Sequence, residues 1–264
     1  MNEVYEELLK SKKYSSIAPQ VLERVCSEAF SKYPKKKDAV KAAKTELHII
    51  HESYLLADCH KKARKIIEEY TDENVLTDRK LSASLLSLHA SSSERLPETE
   101  KIYAFLSEYV NENTALCDLG CGFSPFALPF FSRLPLSLRA YEINGETVEL
   151  LNLYFEKSGR DYSAQTADAV TQTPSGHFDT VFLFKLLPVL QQQKKGRAFT
   201  VLNELDFDTA VISFPLKSLS GKEKGMSGHY SAFFEEGLPD NFTILRKEEI
   251  GNELFYVIKN ELPV

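Results

Sequence analysis

The amino-acid sequence predicts an α/β protein: a doubly wound, Rossmann-like sheet with an antiparallel edge strand, preceded by an all-helical N-terminal domain. Three observations predict it. A short apolar run, Ala115-Leu116-Cys117, ends in Asp118-Leu119-Gly120-Cys121-Gly122 and passes into a helix-like stretch. Beyond residue 113 strand-like and helix-like segments alternate, the rhythm of parallel strands joined by right-handed crossovers. Before it, apolar residues recur only at helical spacing.

In chain order, Val4-Leu8-Leu9, then Val21-Leu22-Val25-Ala29-Phe30, then Val40-Ala43-Leu47-Ile50 mark three helices. Breaks fall at Ser15-Ser16, at Pro34 and near 72–74, where turn-forming residues gather. Further helices fit 57–70, 78–90 and 98–110. Residues 1–90 are read as a helical domain and 91–264 as the catalytic one. Strands are expected at 115–119, 138–143, 161–166, 180–184 and 209–214, with helices at 125–133, 146–158 and 188–205 between them. The 125–133 helix is read as capped by Ser124, with Pro125 at its first position. A helical stretch near 230–236 precedes 242–245 and 254–258, an antiparallel pair flanking Gly251-Asn252.

Composition narrows the class. With 43% hydrophobic and 27% charged residues in 264, the chain is an ordinary globular one with room for a catalytic domain and an accessory one. No run reaches membrane-span length and the polar N-terminus is not read as a signal peptide. Cys26, Cys59, Cys117 and Cys121 lack C-x-x-C spacing, so neither zinc nor a disulfide framework is indicated, and a reducing cytoplasm is expected. His48, His51 and His60 lack the spacing of a metal motif.

The net charge of −6 is unevenly spread: residues 1–80 hold 16 of the 32 Lys and Arg against 14 of the 38 Asp and Glu. The cations bunch at Lys10, Lys12, Lys13, at Lys32, Lys35, Lys36, Lys37, and at Lys61, Lys62, Arg64, Lys65. Such clusters can hold a polyanion, although solvated helix faces explain any one of them.

Ligands of doubly wound sheets sit at the carboxyl ends of the strands. Gly120 and Gly122 let the backbone turn sharply and approach a ligand. A dinucleotide fingerprint needs a glycine where Pro125 stands, which disfavours a nicotinamide enzyme; an S-adenosylmethionine (SAM) turn fits better. Asp118 ends the first strand. Glu142 ends the second, 20 residues past Gly122, where a carboxylate can accept from both ribose hydroxyls. Asp168 follows the third and could accept from the adenine amine. Each alone is commonly a cap or surface carboxylate; three at successive strand ends favour a cofactor site.

After the fourth strand stands Phe184-Lys185-Leu186-Leu187-Pro188, without the Asn/Asp-Pro-Pro element of amino-directed methyltransferases or a Pro-Cys pair. The target atom is therefore already nucleophilic, such as a ring nitrogen with a free lone pair, and needs no general base. Alignment with the methyl and desolvation suffice. Lys185 is otherwise an ordinary snorkelling lysine. Lys217 to Met226, KSLSGKEKGM, is a basic loop that fails the phosphate-loop pattern. It suits a nucleic-acid backbone, with Met226 wedging against an unstacked base, or a plain solvated loop.

The sequence resembles the aminoglycoside-resistance 16S rRNA (guanine-N7) methyltransferases of the Arm/Rmt family over nearly its whole length. The resemblance rests on SKKYSSIAPQVLERV (from Ser11), SLHASSSERL (from Ser87), DLGCGFSPFAL (from Asp118) and FKLLPVL (from Phe184). It continues in FPLKSLSGKEKGMSGHYSAFFEEGLP (from Phe214) and IGNELFYVIK (from Ile250). It implies a SAM-dependent methyltransferase fold with SAM held by His89, Ala90, Ser91, Arg95, Asp118, Gly120, Gly122, Glu142, Asp168, Ala169, Phe184 and Gln193. Arg95 would pair the methionine carboxylate, Glu142 the ribose, and Asp168 with Ala169 the adenine edge. Lys185 and Met226 would position the guanine. Lys12, Lys13, Lys35, Lys36, Lys37, Lys61, Lys62, Arg64, Lys217, Lys222 and Lys224 would contact rRNA of the 30S subunit.

Relatives commonly carry Asn where Ser124 stands and Asp where Glu142 stands, and some carry a lysine where this chain has Ser92-Ser93. The activity implied is that of a 16S rRNA (guanine(1405)-N(7))-methyltransferase conferring aminoglycoside resistance. The chain is expected to act as a monomer in the cytoplasm, with no membrane or DNA partner. The alternatives are a methyltransferase of a neighbouring adenine, a small-molecule methyltransferase, and a non-catalytic rRNA-binding protein.

Overall fold

A computed structural model describes residues 2–11, 13–51, 54–71, 75–216 and 226–262. Seven strands form one sheet in the order β3-β2-β1-β4-β5-β7-β6. They are β1 (Ala115–Leu119), β2 (Ser137–Glu142), β3 (Tyr162–Thr166), β4 (His177–Phe184), β5 (Asp206–Pro215), β6 (Phe242–Ile250) and β7 (Glu253–Asn260). The first five pair in parallel, while β7 runs antiparallel to both β5 and β6. The order reverses at β1 and β4, and a ligand crevice opens at such a reversal. The expected edge pair is present but longer, because β6 continues through the polar residues Arg246 to Glu249.

Eleven α-helices are described: α1 (Asn2–Leu9), α2 (Pro19–Lys32), α3 (Lys36–Ile50), α4 (Cys59–Glu69), α5 (Arg79–Leu86), α6 (Ala90–Arg95), α7 (Thr99–Leu106), α8 (Gly145–Ser158), α9 (Leu186–Gln193), α10 (Arg197–Glu204) and α11 (Met226–Gly237). Two expected helices are divided. The 78–90 segment ends at Leu86, because His89 is extended and pairs with Leu55 as an isolated bridge before α6 begins. The 188–205 segment breaks at Gly196, whose φ of 86° lies in the left-handed region.

The helix expected after the glycine turn is a 3-10 helix, Ser124–Phe130, with Pro129 inside it. Proline removes a backbone donor, which explains why no α-helix forms there. Ser124 does not cap it: Phe123 is the N-cap, and the Ser124 hydroxyl donates to Asp118 Oδ2 instead.

The core is layered. One cluster lies within α1–α3 and ends at Ile50; Ile143 and Val189 pack against it from the sheet domain. Residues of α4, α5 and α7 belong instead to the core on one face of the sheet, with Phe126, Tyr154 and Phe255. α9 and α10 cover the opposite face. The apolar core thus divides near residue 50 rather than at the expected boundary of 90. No described helix is long and apolar enough to cross a membrane.

Candidate cofactor-binding site

At the carboxyl ends of β1, β2 and β4 a cleft holds about 930 Å³ of empty space, part of it open to solvent. Its floor is the glycine turn. Gly120 and Gly122 have φ of 70° and 51°, a region that side chains rarely adopt. A Cβ on Gly122 would stand 3.1 Å from His89 Cε1. His89 cannot retreat, because its ring lies over Phe123 at 5.1 Å with Tyr54 stacked beyond. Both the backbone conformation and the space beside it therefore restrict position 122 to glycine.

Glu142 ties the two turns together. Its Oε2 accepts from Gly122 N at 3.0 Å, and Oε1 accepts from Ile143 N and Asn144 N at 2.8 and 3.2 Å. Burial raises its pKa, and the three N–H groups oppose that rise without cancelling it. The neighbouring loop is also held by the N-terminal region: Ala18 N donates to Ile143 O at 2.8 Å and Gly145 N to Ser16 O at 2.6 Å. His51 Nε2 meets Asn144 Nδ2 at 2.8 Å.

At the far end Asp168, on the loop after β3, forms an ion pair with Arg24 of α2. Arg24 Nε reaches Oδ2 at 2.6 Å, and Nη2 reaches Oδ1 at 3.3 Å and Gln193 Oε1 at 2.7 Å. Asp168 Oδ1 also accepts from Val170 N at 3.0 Å. The Ala169 carbonyl is pinned by Arg197 Nε at 2.7 Å.

At the opposite end lies a buried charge cluster. Arg95 Nε and Nη2 pair with the two oxygens of Glu253, and the guanidinium stands 4.8 Å over the Phe184 ring. Lys185 Nζ lies 2.6 Å from Glu94 and 3.1 Å from Glu253. Burial alone would raise the Glu253 pKa, but Arg95 and Lys185 outweigh it and hold the carboxyl below its ordinary value. Lys185 is not a snorkelling surface lysine: its side chain is 9% exposed, and its φ of 55° is left-handed. Non-glycine residues in that region concentrate at functional sites.

The structure thus brings His89, Ser91, Arg95, Gly120, Gly122, Glu142, Asp168, Ala169, Phe184, Lys185 and Gln193 to one cleft. Ala90, Asp118 and Met226 are not among the lining residues. Asp118 sits behind the turn, buried, bonded to Ser124, with Oδ1 lacking a partner. Met226 is the first residue of α11. The forks of Arg95 and Asp168, expected to meet a ligand, already hold protein partners.

Arg24, Tyr54 and Glu253 were not singled out by sequence reasoning. Arg24 stands one turn after the buried Val21 of α2, and Glu253 opens a strand that continues as the apolar run Leu254 to Ile258. A charge in such a position signals a buried partner.

Of the basic residues, Lys13, Lys61 and Arg64 line one surface depression beside α4 and α8. Arg64 is paired with Glu149 at 2.9 Å. Lys35, Lys36 and Lys37 are exposed at the start of α3, and Lys62 donates to Ala57 O. Lys12, Lys217, Lys222 and Lys224 lie outside the described residues. His60 meets Thr147 and Glu146, each at 2.9 Å.

The site has the features a nucleoside cofactor needs: a glycine cradle that a Cβ would fill, strand-end carboxylates, and polar atoms of Arg24 and His89 buried without partners. Comparison with known proteins agrees with this geometry. The chain is 32% identical to a 16S rRNA (guanine(1405)-N(7))-methyltransferase of Serratia marcescens, with 98% of each chain covered. It is 30% identical to the protein of that name from Proteus mirabilis, with 98% and 96% covered. Among solved structures it is similar to 16S rRNA methyltransferase RmtF in complex with S-adenosyl-L-homocysteine. That match has a TM-score of 0.89 at 32% identity and covers 98% and 97% of the two chains. The 16S rRNA methylase RmtB follows with 0.83 at 29% identity, covering 98% of each. Residues 10–257 match the family model described as Ribosomal RNA methyltransferase (FmrO), and the chain belongs to that family.

Proposed function

We propose that this chain transfers a methyl group from SAM to N7 of guanine 1405 in 16S rRNA, within the assembled 30S subunit in the cytoplasm, and so confers aminoglycoside resistance. One observation carries the reading: the Gly120–Gly122 turn and the strand-end Glu142 form one hydrogen-bonded unit, in a chain that aligns end to end with relatives of that name.

SAM, when bound, supplies an electrophilic methyl on a sulfonium. The residues of this chain bind and orient. Glu142 would present its carboxylate toward the ribose, and the bare backbone of the Gly120–Gly122 turn would lie against the methionine part. Arg95 has its Nε and Nη2 engaged by Glu253, so its remaining nitrogen would meet the methionine carboxylate. Phe184 closes the reacting end against water, which favours attack by a neutral ring nitrogen. N7 of guanine carries no proton, so no residue need act as a base. Lys185 and Met226 would position the guanine, and Lys13, Lys35, Lys36, Lys37, Lys61, Lys62 and Arg64 would steer the polyanionic subunit. Lys12, Lys217, Lys222 and Lys224, outside the described residues, are proposed for the same rRNA contact.

Labelled SAM with purified 30S subunits should place one 7-methylguanine at the decoding-site guanine, mapped by mass spectrometry. Label at a neighbouring adenine, or in free nucleotides alone, would overturn the assignment.

A further inference from the structure

The adenine end of the cleft differs from what the sequence predicts. Asp168, expected to accept from the exocyclic amine of adenine, also accepts within the protein, Oδ2 from Arg24 Nε and Oδ1 from Arg24 Nη2 and Val170 N, with acceptor capacity left on Oδ2. The donor at this end whose hydrogen bonds are unmet is on the arginine. Arg24 lines the cleft with a side chain only 10% exposed. Its Nη1 is buried without a hydrogen-bond acceptor, the Glu28 carboxylate being 3.6 Å away. A buried donor left unpaired is costly, and a ligand acceptor would relieve that cost. Asp168 holds Nε and Nη2 and Gln193 accepts a further bond from Nη2, so the guanidinium is fixed and little freedom would be lost on binding.

We propose that Arg24 of α2 is a specificity-determining residue of the cofactor site, donating from Nη1 to a ring nitrogen of the adenine. Adenine presents unprotonated ring nitrogens on its edges, and a purine lacking the right one leaves Nη1 orphaned. Asp168 and Gln193 then act as positioning residues that aim the guanidinium. α2 is thereby part of the cofactor site, although its apolar face belongs to the separate core of α1–α3. The proposal rests on the cofactor part of the reading above and not on its rRNA part.

The test is calorimetric titration of the full chain with S-adenosylhomocysteine and its 1-deaza, 3-deaza and 7-deaza analogues, each replacing one ring nitrogen by CH. One analogue should bind the wild type about tenfold more weakly than the parent, the expected cost of an unmet charged donor. Arg24→Lys keeps a cation beside Asp168 but lacks the fork. It should bind the parent about tenfold more weakly, with no further loss for that analogue, the signature of one shared contact. If all three analogues match the parent on the wild type, the proposal fails whatever the variant does. Equal analogue penalties in wild type and Arg24→Lys, or tighter parent binding by Arg24→Leu, also overturn it. No binding of the parent to the wild type would sink the cofactor reading itself, and this proposal with it.

Discussion

The Arg95 guanidinium and the Glu253 carboxylate meet fork to fork, with Nε–Oε1 at 2.7 Å and Nη2–Oε2 at 3.0 Å, across 158 residues of sequence. Ser213 Oγ adds a third bond to the same carboxylate at 2.7 Å, and Lys185 lies 3.1 Å away. One acid therefore holds two cations at one end of the cleft.

Glu253→Gln is expected to destabilise the fold by about 3–5 kcal/mol, because it leaves two buried cations facing an amide. Chemical denaturation measures this. A midpoint unchanged from wild type would mean the cluster is solvated and does not organise the site.

Gly122→Ala should remove cofactor binding while leaving the fold intact. The left-handed backbone costs about 1–2 kcal/mol for a non-glycine residue, and the new methyl would press on a His89 ring that is stacked in place. Titration with S-adenosylhomocysteine reads the effect; retained affinity would show that the turn does not approach the ligand.

Glu142→Gln puts an amide NH2 where three backbone N–H groups now find an acceptor. At least one N–H loses its acceptor, which should weaken S-adenosylhomocysteine by about 10- to 100-fold on a cost of about 1–3 kcal/mol. An unchanged dissociation constant would detach Glu142 from the site.

Acid stability carries two opposed contributions. Burial, with Arg95 nearby, lowers the His89 pKa to about 3, so the unfolded chain takes up protons first. Its contribution is present above the ordinary histidine value and is lost as pH falls from about 6.5 toward 3. Burial raises Asp118 to about 7, against the opposing pull of the Ser124 hydroxyl. Its contribution is present at low pH and is lost as pH rises from about 4 toward 7. Between pH 4 and 6.5 the two slopes partly cancel. Thermal melts should show stability falling more steeply with acid in Asp118→Asn than in wild type, and less steeply in His89→Gln. Identical slopes in all three would contradict both assignments.

Much of this protein was legible in the residues themselves. Alternating apolar segments separated by turn residues are local signals, and all seven strands were found from them. The glycine turn and the strand-end Glu142 and Asp168 were also readable, since strand ends and cleft coincide in doubly wound sheets. After the turn the apolar pattern predicts an α-helix, whereas Pro129 within it leaves a 3-10 helix.

What the sequence determined by itself was the order of elements and the chemistry available at each strand end, both consequences of local backbone preference and apolar spacing. What only the tertiary structure decided was which charges meet. Arg24 reaches Asp168 over 144 residues and Arg95 reaches Glu253 over 158. Burial forces every such charge to find a partner, but the partner is chosen by where α2 packs beside the sheet and where β7 pairs within it. No local pattern encodes that packing.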